Sequence, residues 1–202
     1  MRFVGLFLVI AMIPVLVWWL KAYPHQRKWA YAAIGALPFF VDFLNLDAAF
    51  LSWKTWPGYA KGFIWTGLDS LALAILFVAN KPFRTLPFRL VFLLYGFAIA
   101  VSALISEVPV SSLFYLFQIF RVFIVFAAVA TIVARPHGTR WLLFGLAVGA
   151  MFQAGMAIDE RLSGALQAKG TLAHQNLLGM MLLFVGIPLL GSLLASDKNK
   201  LT

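Results

Sequence analysis

Residues 113–134, LFYLFQIFRVFIVFAAVATIVA, carry one formal charge, Arg121, in an otherwise apolar run. About 20 such residues in a helix cross the hydrocarbon of a bilayer. The run therefore reads as a membrane-spanning helix, and an arginine inside it must be paired or face water. Working outward, the same texture recurs along the chain. Apolar segments fall near 3–20, 29–46, 63–79, 90–105, 113–134, 141–158 and 176–195. They are separated by loops rich in proline, glycine and charge, such as KAYPHQRK, NKPFRTLPFR and RPHGTR.

Composition agrees. Of the 202 residues, 63% are hydrophobic and 11% charged, whereas soluble domains carry about 25% charged residues. Too little polar surface remains to coat a soluble particle. Sheet-like alternation is absent, which argues against a β-barrel. Without cysteine there is neither a disulfide nor a thiolate metal site. The formal charge of +9 is scattered among apolar segments, where it anchors and orients helices rather than binding nucleic acid. The first segment lacks a small-x-small cleavage site after WWLKAY and reads as a retained helix.

Orientation follows from the basic residues of the short loops. With the N-terminus outside, the cytoplasmic set is Lys21, Arg27, Lys28, Lys81, Arg84, Arg89, Arg135, Arg140, Lys198 and Lys200. The outer set is Arg2, Lys54, Lys61, Arg161 and Lys169, so the count is ten against five. Trp18, Trp19, Trp29 and Trp141 flank the proposed cytoplasmic ends. The aromatic loop DAAFLSWKTWPGYAKG, residues 47–62, is expected to lie along the outer surface. The expected fold is thus all-α: a polytopic membrane protein of about seven transmembrane helices, N-terminus outside and C-terminus cytoplasmic, one helical domain over 1–202.

Ionisable residues inside spans are functional candidates by default. Asp42, Asp69 and Arg121 qualify. On this topology Asp69 lies about 9 Å, and Arg121 about 12 Å, below the outer ends of their helices. Ser102 and Gln153 fall in the same outer half. Gln118 and Arg121 share a helix face, as do Thr66 and Asp69. This one-sided clustering predicts a polar cavity open to the outer leaflet. Asp69 and Arg121 either neutralise each other or the Asp orients an Arg fork suited to phosphate. On the same side, DERLSGALQAKGTLAHQN joins the last two segments. Gly164 and Gly170 let its backbone turn, Arg161 and Lys169 add positive charge, and Asn176 stands near the start of the last helix. That helix N-terminus is a natural anion site. His174 reads as a cap or surface residue, and His25 and His137 lie on the other side, which excludes a three-histidine metal site. Nucleotide loops, hydrolase elbows and paired-carboxylate motifs are absent from the sequence.

Three stretches together resemble the O-antigen ligase and polymerase family of bacterial inner membranes. GTLAHQNLLG (170–179) is similar to its Gly-Thr-Phe-Gly-His/Asn-x-Asn-x-Leu-Gly/Ala signature, after an Arg-x-x-Gly run that here is RLSG. GYAKGFIWTGLDSLALAILF (58–77) resembles its aromatic loop entering an Asp-bearing helix, and SSLFYLFQIFRVFIVF (111–126) its Gln-x-x-Arg helix. The resemblance implies a metal-independent glycosyltransferase at the periplasmic face, with no cofactor. It would move a glycan from undecaprenyl diphosphate to lipid A core, another glycan or a protein. By analogy Arg121 and Arg161 are diphosphate candidates. Lys169, Gly170, Thr171, His174 and Asn176 shape the substrate pocket, and Asp69 and Gln118 support it. Family members have about twice as many helices, with a large catalytic loop beyond the region matched here. The chain accordingly reads as the N-terminal, donor-binding half, with a C-terminal half or second subunit as partner, and no catalytic residue is assigned. The competing expectations are a small transporter or channel subunit, whose Asp69–Arg121 pair lines a path, and a non-catalytic truncated assembly protein. One-sided polar residues and the absence of a visible repeat favour the transferase.

Overall fold

A computed structural model describes residues 2–40, 43–44, 46–53, 55–58, 60–79, 86–172 and 174–198. Asp42, Lys54, Tyr59, Lys81, Arg84 and Lys200 lie outside the described residues. The elements are helices α1 (Arg2–Ala22) and α2 (Arg27–Ala36), strands β1 (Asp47–Ser52) and β2 (Gly62–Thr66), and helices α3 (Gly67–Val78), α4 (Arg89–Leu104), α5 (Pro109–Val133), α6 (Gly138–Leu162) and α7 (Gln175–Lys198). Among the described residues α5, α6 and α7 are long and apolar enough to cross a membrane. A fourth span arises if the bent pair Phe7–Ala22 and Pro24–Phe39 acts as one. Outward-facing Leu183, Phe184, Ile187, Leu190 and Leu194 of α7 are all more than half exposed. Such a surface is compatible with lipid as the solvent of a multi-pass protein.

The chain packs as two compact units, residues 1–27 with 46–135, and residues 28–45 with 136–202. In the first, α3 packs between α1 and α5, and α4 lies along α5. Ala72 and Ala74 of α3 and Ala127 and Ala128 of α5 are fully buried. Small side chains let helix backbones approach closely, which is how apolar helices attract one another where lipid is as greasy as the protein. The Arg27 Nε donates to the Leu20 carbonyl at 2.9 Å and so satisfies one of the open carbonyls at the end of α1.

Two expected boundaries change. The segment expected as a helix over 63–79 begins extended: β2 pairs antiparallel with β1, Asp47 opposite Thr66 and Ala49 opposite Ile64. The aromatic 47–62 segment is therefore largely part of a β-hairpin. Its register shifts between Ala49 and Ser52, and a Cβ on Gly62 would collide with the Leu51 carbonyl. The irregular burial along β1, not a two-residue alternation, is why no strand period shows in the sequence. The helix starts only at Gly67, because Thr66 and Asp69 form a capping box. Asp69 consequently sits in the first turn of α3 rather than about 9 Å along it. The segment expected over 29–46 also shortens. Its α-helix ends at Ala36 and a 3₁₀ turn, Leu37–Phe39, follows, since Pro38 disfavours helical backbone at the residue before it.

In the second unit, α6 packs on the Leu37–Phe39 turn and on α7. Leu142, Gly145, Gly149 and Gln153 make one buried face of α6. A Cβ at Gly145 would strike the Ala32 carbonyl, and one at Gly149 the Phe39 ring. Glycine at that spacing is what lets α6 lie directly on the backbone before it.

Candidate functional site

In the first unit the structure brings together Thr66, Asp69, Gln118 and Arg121. The cap that starts α3 creates half of the site. Asp69 Oδ2 accepts from the Thr66 backbone N–H at 2.8 Å and from the Thr66 hydroxyl at 2.8 Å. The same oxygen accepts from Arg121 Nε at 2.7 Å. From one turn back on α5, Gln118 Oε1 accepts from Arg121 Nη1 at 2.9 Å, and Thr66 Oγ1 takes a longer bond, 3.4 Å, from Arg121 Nη2. The Asp69 side chain is 1% exposed and that of Arg121 15%. Each guanidinium nitrogen thus has a partner, leaving two of its five N–H groups for anything else. The carboxylate, holding three donors on one oxygen, neutralises the arginine and orients it.

Around this pair the packing is aromatic. The Phe63 ring lies edge-on to Phe114 and Phe117. Trp65 Nε1 donates to Ser70 Oγ at 2.9 Å, and that hydroxyl donates to the Val9 carbonyl at 2.7 Å. The hairpin, α3 and α1 are thereby tied at the same place where Arg121 is held. On another face of α5, Phe120 and Phe123 line a groove of about 410 Å³ with Phe92, Leu93 and Phe97 of α4. Its walls are apolar throughout.

The second unit holds the other candidates. Gln153 is fully buried. Its Nε2 donates to the Phe39 carbonyl at 2.8 Å and to Thr171 Oγ1, while its Oε1 accepts from the Thr171 N–H at 3.0 Å. Gly170 has φ +61°, and a Cβ there would strike Gln153 Oε1; Gly164, at φ +91°, supplies the other left-handed turn. Glu160 Oε2 accepts from the backbone N–H groups of Lys169 and Gly170 at 2.7 and 2.9 Å. Arg161 Nη1 donates to the carbonyls of Ala165 and Leu166 at 2.8 and 2.9 Å. His174 is exposed, and its Nδ1 accepts from the Asn176 N–H at 3.1 Å, a cap on the first turn of α7. Lys169 and Asn176 are exposed.

The expected single polar cavity is corrected on three counts. Gln153 does not face a cavity, because Phe39 and Thr171 use its amide. Ser102 is exposed on α4 rather than lining a cavity. Arg121 and Arg161 belong to different units, and each is already engaged within its own. Sequence reasoning paired Asp69 with Arg121, and the structure joins them. The same reasoning missed Glu160, whose only signal was its place in the last turn of a helix feeding a glycine-bearing loop. The chain matches no family model, no curated protein and no solved structure.

Proposed function

We propose that this chain binds a polyprenyl-diphosphate-linked glycan as the donor-binding portion of an O-antigen ligase-like transferase, at the periplasmic face of a bacterial inner membrane. In this reading seven segments cross or enter the bilayer, with the N-terminus outside and the C-terminus in the cytoplasm. The reading draws its main support from one observation. The two stretches that carry the Asp-bearing and Gln-x-x-Arg resemblance converge at the Asp69–Arg121 pair, 2.7 Å apart. A carboxylate that fixes the guanidinium plane leaves two N–H groups in a set direction, and the groove on the next face of α5 is apolar enough for an isoprenoid tail. In the other unit, Arg161, in the last turn of α6 and ahead of the third resembling stretch, is that unit's own candidate for a phosphate contact.

Binding of farnesyl diphosphate to the purified chain, compared among wild type, Arg121→Lys and Arg161→Ala, tests the proposal. Lysine keeps the charge and spares Asp69 an unpaired burial but loses the planar fork. Arg161→Ala removes a charge-assisted contact of about 1.5–3 kcal/mol, so affinity falls tenfold or more, and Arg121→Lys, which keeps the charge, lowers it by less. Equal binding by all three proteins overturns the proposal and leaves Arg121 as a structural ion-pair partner.

A further inference from the structure

A groove of about 420 Å³ between α6 and α7, which shares no lining residue with either candidate site, has a lengthwise division of character. Thr139, Arg140 and Ser192 form one end, and Leu143, Phe144, Ala147 and Leu189 line the rest. On α6 the run from Thr139 to Ala147 covers about 12 Å at 1.5 Å per residue, most of the roughly 15 Å depth of one hydrocarbon leaflet. Polar groups at one end of an apolar furrow of that length match an amphiphile, not a soluble ligand.

The polar end has interfacial neighbours. Trp141, next to Arg140, packs against Trp29 with ring centroids 5.1 Å apart, and Lys28 Nζ stands 5.3 Å from the Trp141 ring. Tryptophan clusters with lysine settle at headgroup depth. Arg140 is exposed there and finds no hydrogen-bond or ion-pair partner among the described residues. Basic recesses between transmembrane helices attract anionic headgroups.

We infer that the α6–α7 groove holds one anionic phospholipid, its phosphate on Arg140 and Thr139 and one acyl chain along Leu143, Phe144, Ala147 and Leu189. Charge complementarity selects the headgroup, and the apolar furrow selects a chain over a free phosphate. The site is independent of the proposed donor site, which lies on other residues.

The purified full chain in detergent is titrated with dioleoyl phosphatidylglycerol, with dioleoyl phosphatidylcholine, and with glycerol phosphate, which carries the charge without chains. Native mass spectrometry reads the retained ligand. Phosphatidylglycerol is expected to be retained over phosphatidylcholine, and glycerol phosphate not at all. Arg140→Gln, a surface change that leaves the fold untouched, lowers phosphatidylglycerol retention about tenfold and removes the preference, whereas Arg140→Lys keeps part of it. Ala147→Trp fills the furrow and lowers retention of both lipids alike. Equal retention of the two lipids by the wild type overturns the inference, as does an Arg140→Gln protein that still prefers phosphatidylglycerol. Glycerol phosphate held as well as the lipid also overturns it, by reducing the groove to a phosphate site.

Discussion

The two units hold their polar side chains in opposite ways. In the first, a full ion pair is buried between helices far apart in sequence, Asp69 on α3 and Arg121 on α5. In the second, the fully buried polar side chain is a neutral amide, Gln153, and the carboxylate that matters, Glu160, is spent on backbone N–H groups at the surface. A buried charge has no tolerable state without its partner, whereas a buried amide loses only hydrogen bonds. The first unit is thus organised by a pair that must form together. The second is organised by local closure of the loop onto α6, which can loosen by degrees.

That contrast is most easily broken at Arg121. Arg121→Ala strands a carboxylate that is 1% exposed, and loss of one partner of a buried pair costs about 3–5 kcal/mol. Denaturant unfolding in detergent should find the double variant Asp69→Asn with Arg121→Ala less damaged than Arg121→Ala alone. Strictly additive losses in that cycle would place the two residues out of contact.

Gln153→Leu probes the neutral counterpart. It fills a similar volume but leaves the Phe39 carbonyl and Thr171 N–H without the amide, for a loss of about 1–3 kcal/mol per unsatisfied group. The readout is specific to this unit: tryptic cleavage after Lys169 accelerates, while the environment of Arg121 is unchanged. A variant whose loop resists trypsin as well as wild type would show that Gln153 does not hold it.

The smallest effect is expected at Glu160. Glu160→Gln keeps an acceptor oxygen but loses the charge that strengthens both bonds, so hydrogen exchange at the Lys169 and Gly170 amides speeds up modestly with global stability unaltered. Exchange unchanged at both amides would mean that the carboxylate charge contributes nothing to closing the loop.

Much of this was legible residue by residue. The 113–134 run announced a long apolar helix, and α5 spans Pro109–Val133. An arginine within it demanded a partner, and Asp69 was the nearest apolar-segment acid to supply one. Gly164 and Gly170 marked places where the loop backbone turns, and both have positive φ. The hairpin was not legible, because β1 and β2 are joined by an irregular register and burial follows no two-residue period along either of them. Nor was the role of Glu160, since a surface carboxylate accepting backbone N–H groups depends on where a loop nine residues later happens to return.

By itself, then, the sequence determined what obeys local or solvent-imposed rules. Apolar length set the helices, because unpaired backbone is intolerable in hydrocarbon. Composition called for lipid, and an isolated charge called for a countercharge. Only the tertiary structure decided where α3 begins, which side chains complete the guanidinium of Arg121, and that Gln153 is buried against Phe39 and Thr171 instead of lining a cavity. These depend on contacts between residues such as Phe39 and Gln153, 114 apart along the chain, and no periodicity in either segment encodes which partner the other will be.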